Sequence, residues 1–409
     1  MNGTTVDEKR LARDFDAIAA CSECDPSIGY SRPTFSPAWR RARDYVIAQA
    51  QSIGCTVWVD AAGNVHARPA TLPRDSTAWL CGSHIDSVPT GGRFDGVVGV
   101  LVALEALRTA PDAPMELIIF AEEEGTTFSL GMVGSRAWAG TLAPEELQNL
   151  RNSQGQDYAS AGVAHGVSVK RLAVERLRPE RYRGLIETHV EQGPGMWNAG
   201  VSVAVVTAIA GRRQYICSLA GEANHAGATA MKDRRDALAG AARAVSALED
   251  LGREMARSQE AAVVTVGRMD VHPNSVNVIA GTVTFTIDLR ARSDEMLAHG
   301  DESLRNIVSR IAAERRLGCS LSATEELPVV QLDKGICSLL RDAARRQGID
   351  APDVASGALH DAAILAPFLP TAMLFVASKG GISHNPAEYS RIEDVACAAQ
   401  IVAAAVSSA

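Results

Sequence analysis

No apolar run in the 409-residue chain reaches the roughly 18 residues that a membrane-spanning helix needs. The opening MNGTTVDEKR also lacks the apolar segment of a secretion signal, so a cytoplasmic protein without membrane association is expected. Basic charge is in deficit: 40 Lys and Arg stand against 48 Asp and Glu, a net charge of −8, which gives no footprint for nucleic acid. A disulfide framework is missing too. The eight cysteines (21, 24, 55, 81, 217, 319, 337 and 397) are dispersed, as suits buried, reduced thiols. Cys21 and Cys24 form one CxxC with no second pair beside it, which argues against a structural zinc. What is present is ordinary for a soluble globular protein, with 46% apolar and 22% charged residues and length enough for two domains.

The stretch GSHIDSVPTGGRFDGVVGV, residues 82 to 100, organises the rest. TAWLC ahead of it reads as a buried strand, so His84 emerges where that strand ends. Gly91, Gly92 and Gly96 allow a tight return that brings Asp95 back towards His84. An imidazole and a carboxylate converging on one point suit a divalent metal. Asp86 is too near in sequence to be an easy ligand, and is expected to orient the His84 ring as an acceptor behind it.

The same pattern recurs along the chain. Residues 37–54 read as a helix ended by Gly54, and 55–70 as a hairpin in which His66 is structural. MELIIFAEEEG is a buried strand closing on Glu122, Glu123 and Glu124. GLIETHVEQGP closes on His189, Glu191 and Gln192. TAMLFVASKGGISHNPAEY gives another strand, a glycine turn and His384. In α/β sheets the carboxyl ends of parallel strands share one edge, and ligands bind there. The prediction is an α/β catalytic domain with a mostly parallel central sheet covered by helices, which gathers these residues in one crevice.

Residues 212–327 change rhythm to β-α-β-β-α-β, a ferredoxin-like α+β domain inserted between the catalytic segments 1–211 and 328–409. Its helices are expected over about 232–257 and from Glu302. One sheet face has no helix to cover it and invites a second copy, making this a lid or dimerisation domain. It carries His225 in a small-residue loop, Asn274 and Asn277 in a turn, and Arg290 beside Asp288. Asn277 satisfying its own turn and Arg290 pairing with Asp288 are the plainer alternatives.

Three histidines with an aspartate and a glutamate suggest two adjacent divalent ions bridged by Asp95: His84 and His189 on one, Glu124 and His384 on the other. Glu123, on the opposite side of the extended segment from Glu124, is assigned as the general base, and Glu122 as structural. Mixed nitrogen and oxygen donors admit zinc first, with manganese, cobalt or nickel as alternatives. His225 is the candidate oxyanion donor, from its own or a partner subunit. Arg290 would grip a substrate carboxylate, with Asn277 and Gln192 adding amide hydrogen bonds. The implied substrate is a small acid with an amide-like carbonyl.

Together, GSHIDSVPTGGRFDG, AEEEGTTF, ETHVEQGP, HAGATAMKDRRDAL, PNSVNVIAGTVTFTIDLR, SGALHDA and SKGGISHNPAE resemble the hydantoinase/carbamoylase family of amidases. That family lies within the wider dinuclear metallopeptidase group. The resemblance implies His84, Asp95, Glu124, His189 and His384 as ligands and Glu123 as base. It adds His360 to Gln192, His225, Asn277 and Arg290 as substrate-binding positions, and implies a homodimer through the inserted domain. His189, where peptidase branches usually place an acid, points to hydrolysis of N-carbamoyl-L-amino acids. Allantoate or another ureido acid is the alternative, and a dipeptidase or aminoacylase a more distant one. A non-catalytic binding protein would have lost a ligand or the base, and none is missing. Thr127, Leu359, Ala280 and Ala230 depart from the family's usual arginine, glycine and prolines; the first two bear on the pocket and hence on the substrate.

Overall fold

The computed structural model describes residues 5–257 and 262–408. Contacts divide the chain into two units, one of residues 1–207, 332–354 and 359–409, the other of 208–331 and 355–358.

The first unit is built on a mainly parallel sheet. Its strands run in the order Cys55–Val59, Val65–Pro69, Met115–Phe120, Ala78–His84, Tyr182–Val190, Thr371–Val376 and Val203–Ile209. The four from Met115–Phe120 to Thr371–Val376 are mutually parallel, and the flanking pairs are antiparallel. Ala78–His84, Met115–Phe120 and Thr371–Val376 are buried at every position, as strands covered on both faces must be. Gly82 lies where an added Cβ would run into the Ile118 carbonyl, so the close approach of these two strands demands glycine there. The covering helices include Val97–Thr109, which has twelve buried residues, and Ile392–Ser408.

Because the four strands are parallel, their carboxyl ends meet at one edge. His84 ends its strand, Glu122–Glu124 follow Phe120, His189 lies one residue from the end of Tyr182–Val190, and His384 follows Val376. The prediction of four strand ends behaving alike is met.

Elsewhere the local reading and the structure differ. Val203–Ile209, a buried strand, was not expected. Residues 142–180, whose polar sequence reads as helical, form only short helical pieces such as Tyr158–Gly162 and Val169–Leu172. The helix expected at 232 begins at Ala237, because Asp236 accepts from the Ala239 amide and caps it there. His66 is structural as expected: its Nδ1 lies 2.8 Å from Glu116 and its Nε2 3.3 Å from Asp60. Cys21 and Cys24 turn their thiols to the carbonyls of Ala17 and Gly29.

The second unit is an antiparallel sheet in the order Gly318–Leu327, Gly211–Ala220, Thr282–Ala291 and Val263–Thr265, with Met269–His272 also pairing to Thr282–Ala291. Helices Ala237–Met255 and Asp294–Glu314 pack against one set of alternating residues, Tyr215, Cys217 and Leu219 with Val283, Phe285, Ile287 and Leu289. The second helix starts two turns before the predicted Glu302. Ser293 caps it, and Gly300 is tolerated inside because a Cβ there would meet Leu289 and Met255.

Candidate metal centre

The loop after the His84 strand returns as the glycines suggested. Gly96 adopts φ 65°, and a side chain there would collide with the His84 ring, so glycine lets the helix start lie directly against the imidazole. Asp95, one residue earlier, divides its carboxylate. Oδ1 lies 3.2 Å from His189 Nε2, and Oδ2 lies 3.1 Å from His384 Nε2. His84 Nε2 stands 3.5 Å from His189 Nε2, and Glu124 Oε2 stands 3.4 Å from His384 Nε2.

Two donor sets therefore share Asp95: His84, Asp95 and His189, and Asp95, Glu124 and His384, each with its donor atoms within 4.8 Å of one another. His84, Asp95 and His189 are buried, while the His384 side chain is 48% exposed, so the second set faces solvent.

The ring orientations are set from behind. His84 Nδ1 is 3.0 Å from the Asp86 carbonyl and His189 Nδ1 is 3.0 Å from the Val190 carbonyl. Each Nδ1–H donates, which turns Nε2 towards the shared space. The orienting acceptor at Asp86 is thus its main chain. Its carboxylate instead accepts the Glu124 amide at 3.1 Å and stays 3.8 Å from His84. Burial pushes the His84 imidazole down to about 3, so it stays neutral. Burial also disfavours charge on His189, but its bonds to Asp95 prevail and hold it near 9.

Burial, followed by the charge of Glu124, Asp361 and Asp86, raises Glu123 well above the usual carboxylate range. Glu124 is raised likewise, by burial and then by Asp95 and Asp86. Such crowding of buried carboxylates is electrostatically unfavourable by itself and is relieved by a dication. With three imidazoles and a two-sided carboxylate, the donor chemistry fits divalent metal ions.

Glu123 Oε2 reaches 3.7 Å from His84 Nε2, whereas Glu124 Oε2 approaches His384. Glu122, at φ 56°, turns back to accept the amides of Thr127 and Phe128. Gln192 donates to Asp95 Oδ2 at 3.2 Å and to Ser383 Oγ at 3.3 Å. His360 is 1% exposed, with its ring 4.5 Å from that of His189 and tilted 61°.

Three buried residues escaped sequence reasoning. Glu388 accepts from the amides of Phe94 and Asp95 and from Ser383 Oγ, tying the Asp95 loop to the His384 loop. Glu187 accepts from Ser83 Oγ and the Ala362 amide. Arg32 donates its Nε to the carbonyl of Ile85, between His84 and Asp86. Only Glu388 left a trace, as the acid four residues past His384.

In the second unit, His225 Nδ1 accepts the amides of Gly227 and Ala228 at 3.0 and 3.1 Å. That selects the tautomer with the proton on Nε2, a neutral donor. Arg234 braces the loop through the carbonyls of Thr229 and Ala226. Arg290 pairs with Asp288 at 2.8 Å and donates to the Gly357 carbonyl at 3.3 Å, while Asn277 Oδ1 accepts from Ser275. Arg290 is thus engaged as its plainer alternative describes, whereas the bond to Asn277 comes from a side chain and not from the turn's backbone.

Among known proteins, the profile of peptidase family M20/M25/M40 matches residues 80–408. The chain is 38% identical over 383 residues to an N-carbamoyl-L-amino acid amidohydrolase of Geobacillus stearothermophilus, covering 92% of each. It is 33% identical over 379 residues to an allantoate amidohydrolase of Escherichia coli, covering 91% of each. A crystal structure of a hydantoinase/carbamoylase family amidase from Burkholderia multivorans superposes with a TM-score of 0.86 at 36% identity, over 99% of this chain and 98% of that one. The chain belongs to peptidase family M20/M25/M40, among its hydantoinase/carbamoylase amidases.

Proposed function

We propose that this enzyme, a hydrolase of C–N bonds, cleaves the carbamoyl group of N-carbamoyl-L-amino acids, releasing the amino acid, carbon dioxide and ammonia. The observation that carries the reading is the division of Asp95 between two donor sets, with the largely buried Glu123 beside them. His84 and His189 would hold one divalent ion, Glu124 and His384 a second, and Asp95 both. Zinc is the first candidate, with manganese, cobalt or nickel as alternatives. Bound there, such ions would supply Lewis acidity, making a water more acidic and a carbonyl carbon more electrophilic.

The chain's own groups do the rest. Glu123 accepts the proton of the attacking water and returns it to the leaving nitrogen. The His225 Nε2–H donates to the oxygen that gains charge. Arg290 takes the substrate carboxylate, exchanging its Asp288 pairing for a bidentate one, and Asn277 and Gln192 supply amide contacts. His360 borders His189 and narrows the space for the substrate.

The second unit, 212–327 in this reading, serves as lid and as the interface of a homodimer. Its helix-free sheet face and the edge strand Gly318–Leu327 support that role. The eight cysteines are all free thiols, which suits a cytoplasmic, reducing compartment.

Allantoate or a related ureido acid is the second reading, favoured by the 33% identity to the allantoate amidohydrolase. Assaying metal-loaded enzyme on N-carbamoyl amino acids, allantoate and ureidoglycolate side by side decides between them. Turnover of only the latter two would reject the first reading.

A further inference from the structure

A cavity of about 550 Å³ opens in the first unit away from the candidate metal centre. Tyr182 lines it and begins the strand that His189 nearly ends, so the two places lie roughly 23 Å apart along that strand. Its polar wall is unusual for an acidic chain: Arg74, Arg171, Arg176, Arg178 and Arg181 face three carboxylates.

Those carboxylates are already engaged. Asp60 accepts from Asn64 and lies against His66, Glu175 pairs with Arg171, and Asp75 pairs with Arg181. Arg74, Arg176 and Arg178 have no ion-pair partner among the described residues, although Arg74 stacks 4.2 Å over the Trp58 ring. The lining therefore carries five guanidinium groups against three carboxylates, and an anion bound among them offsets that excess of positive charge.

The rest of the wall is rigid. The Trp58 and His66 rings stack 5.1 Å apart at 4°, and Trp138 packs edge-on to His66 and Tyr182. Behind them Glu116 accepts from Arg68 and Tyr182 and meets His66 at 2.8 Å. The arginines therefore surround a preformed floor, of the size that small-molecule sites have.

We propose that this cavity binds a phosphate group, as the free ion or as part of a small phosphate ester. Guanidinium forks match phosphate oxygens two at a time, and three unpaired ones suit its charge better than a single carboxylate would. The half-buried indole of Trp58 and the side chain of Val174 offer an organic portion an apolar edge.

Calorimetric titration of the full-length, metal-loaded protein at constant ionic strength tests this, with inorganic phosphate in one arm and adenosine monophosphate in the other. The double variant Arg176→Gln/Arg178→Gln should weaken binding by about tenfold or more, whereas His384→Ala should leave it unchanged. Tighter binding of the nucleotide assigns an ester, and equal affinity assigns the free ion. Absence of heat from both probes up to millimolar concentration would overturn the proposal. So would binding that disappears with His384→Ala and survives loss of the arginines.

Discussion

The main-chain amide of Asp95 donates to Glu388 Oε1 at 2.9 Å, across 293 residues of sequence. The same oxygen accepts the Phe94 amide, and the other accepts Ser383 Oγ, so one buried carboxylate sets both the loop carrying Asp95 and the loop carrying His384. Glu388→Ala strands two buried amides, and unsatisfied groups of this kind cost about 1–3 kcal/mol each. We expect metal affinity to fall about 10–100-fold in a chelator competition, with Glu388→Gln recovering much of it because an amide oxygen still accepts.

Glu123→Gln should lower turnover by about 10²–10⁴-fold while metal content, read by elemental analysis, stays at the wild-type level. Loss of metal instead would mean that Glu123 and Glu124 have exchanged roles.

His225→Ala should reduce kcat by about 10²–10³-fold with metal content unchanged, because it removes a donor that the Gly227 and Ala228 amides hold in the Nε2–H form. A purely local role would change loop stability and leave kcat intact.

His66 makes a pH prediction. Burial works against its charge, but Asp60 and Glu116 prevail and raise it to about 9 in the folded chain, against about 6.5 when unfolded. The charged ring therefore contributes its full stabilisation below pH 6.5, and that contribution fades as pH rises through 9. The gap corresponds to roughly 3 kcal/mol. Urea melts at pH 6 and pH 9.5 should show the wild type losing its advantage over His66→Gln; an equal difference at both pH values would refute the assignment.

The catalytic edge was legible because each of its strands announces itself locally, as an apolar run followed by an ionisable group and often a glycine turn. His84, Glu123, Glu124, His189 and His384 all carry that mark. What holds them does not. Glu187 meets Ser83 across 104 residues and Glu388 meets Phe94 across 294, and no pattern around a lone glutamate encodes such a pairing. The Asp294–Glu314 helix starts ahead of Glu302 and runs through Gly300. Its packing against Leu289 and Met255 is a tertiary fact. Asp86 shows a finer limit: its position was legible, but the use of its carbonyl rather than its carboxylate towards His84 was not.

In the proposed mechanism Asp95 stands between two cations. Anomalous diffraction at the absorption edge of the loaded metal, on crystals of the full-length protein, tests it most directly. Two peaks per chain are expected to flank Asp95, one beside His84 and His189 and the other beside Glu124 and His384. A single peak, or two with Asp95 outside both, would contradict it.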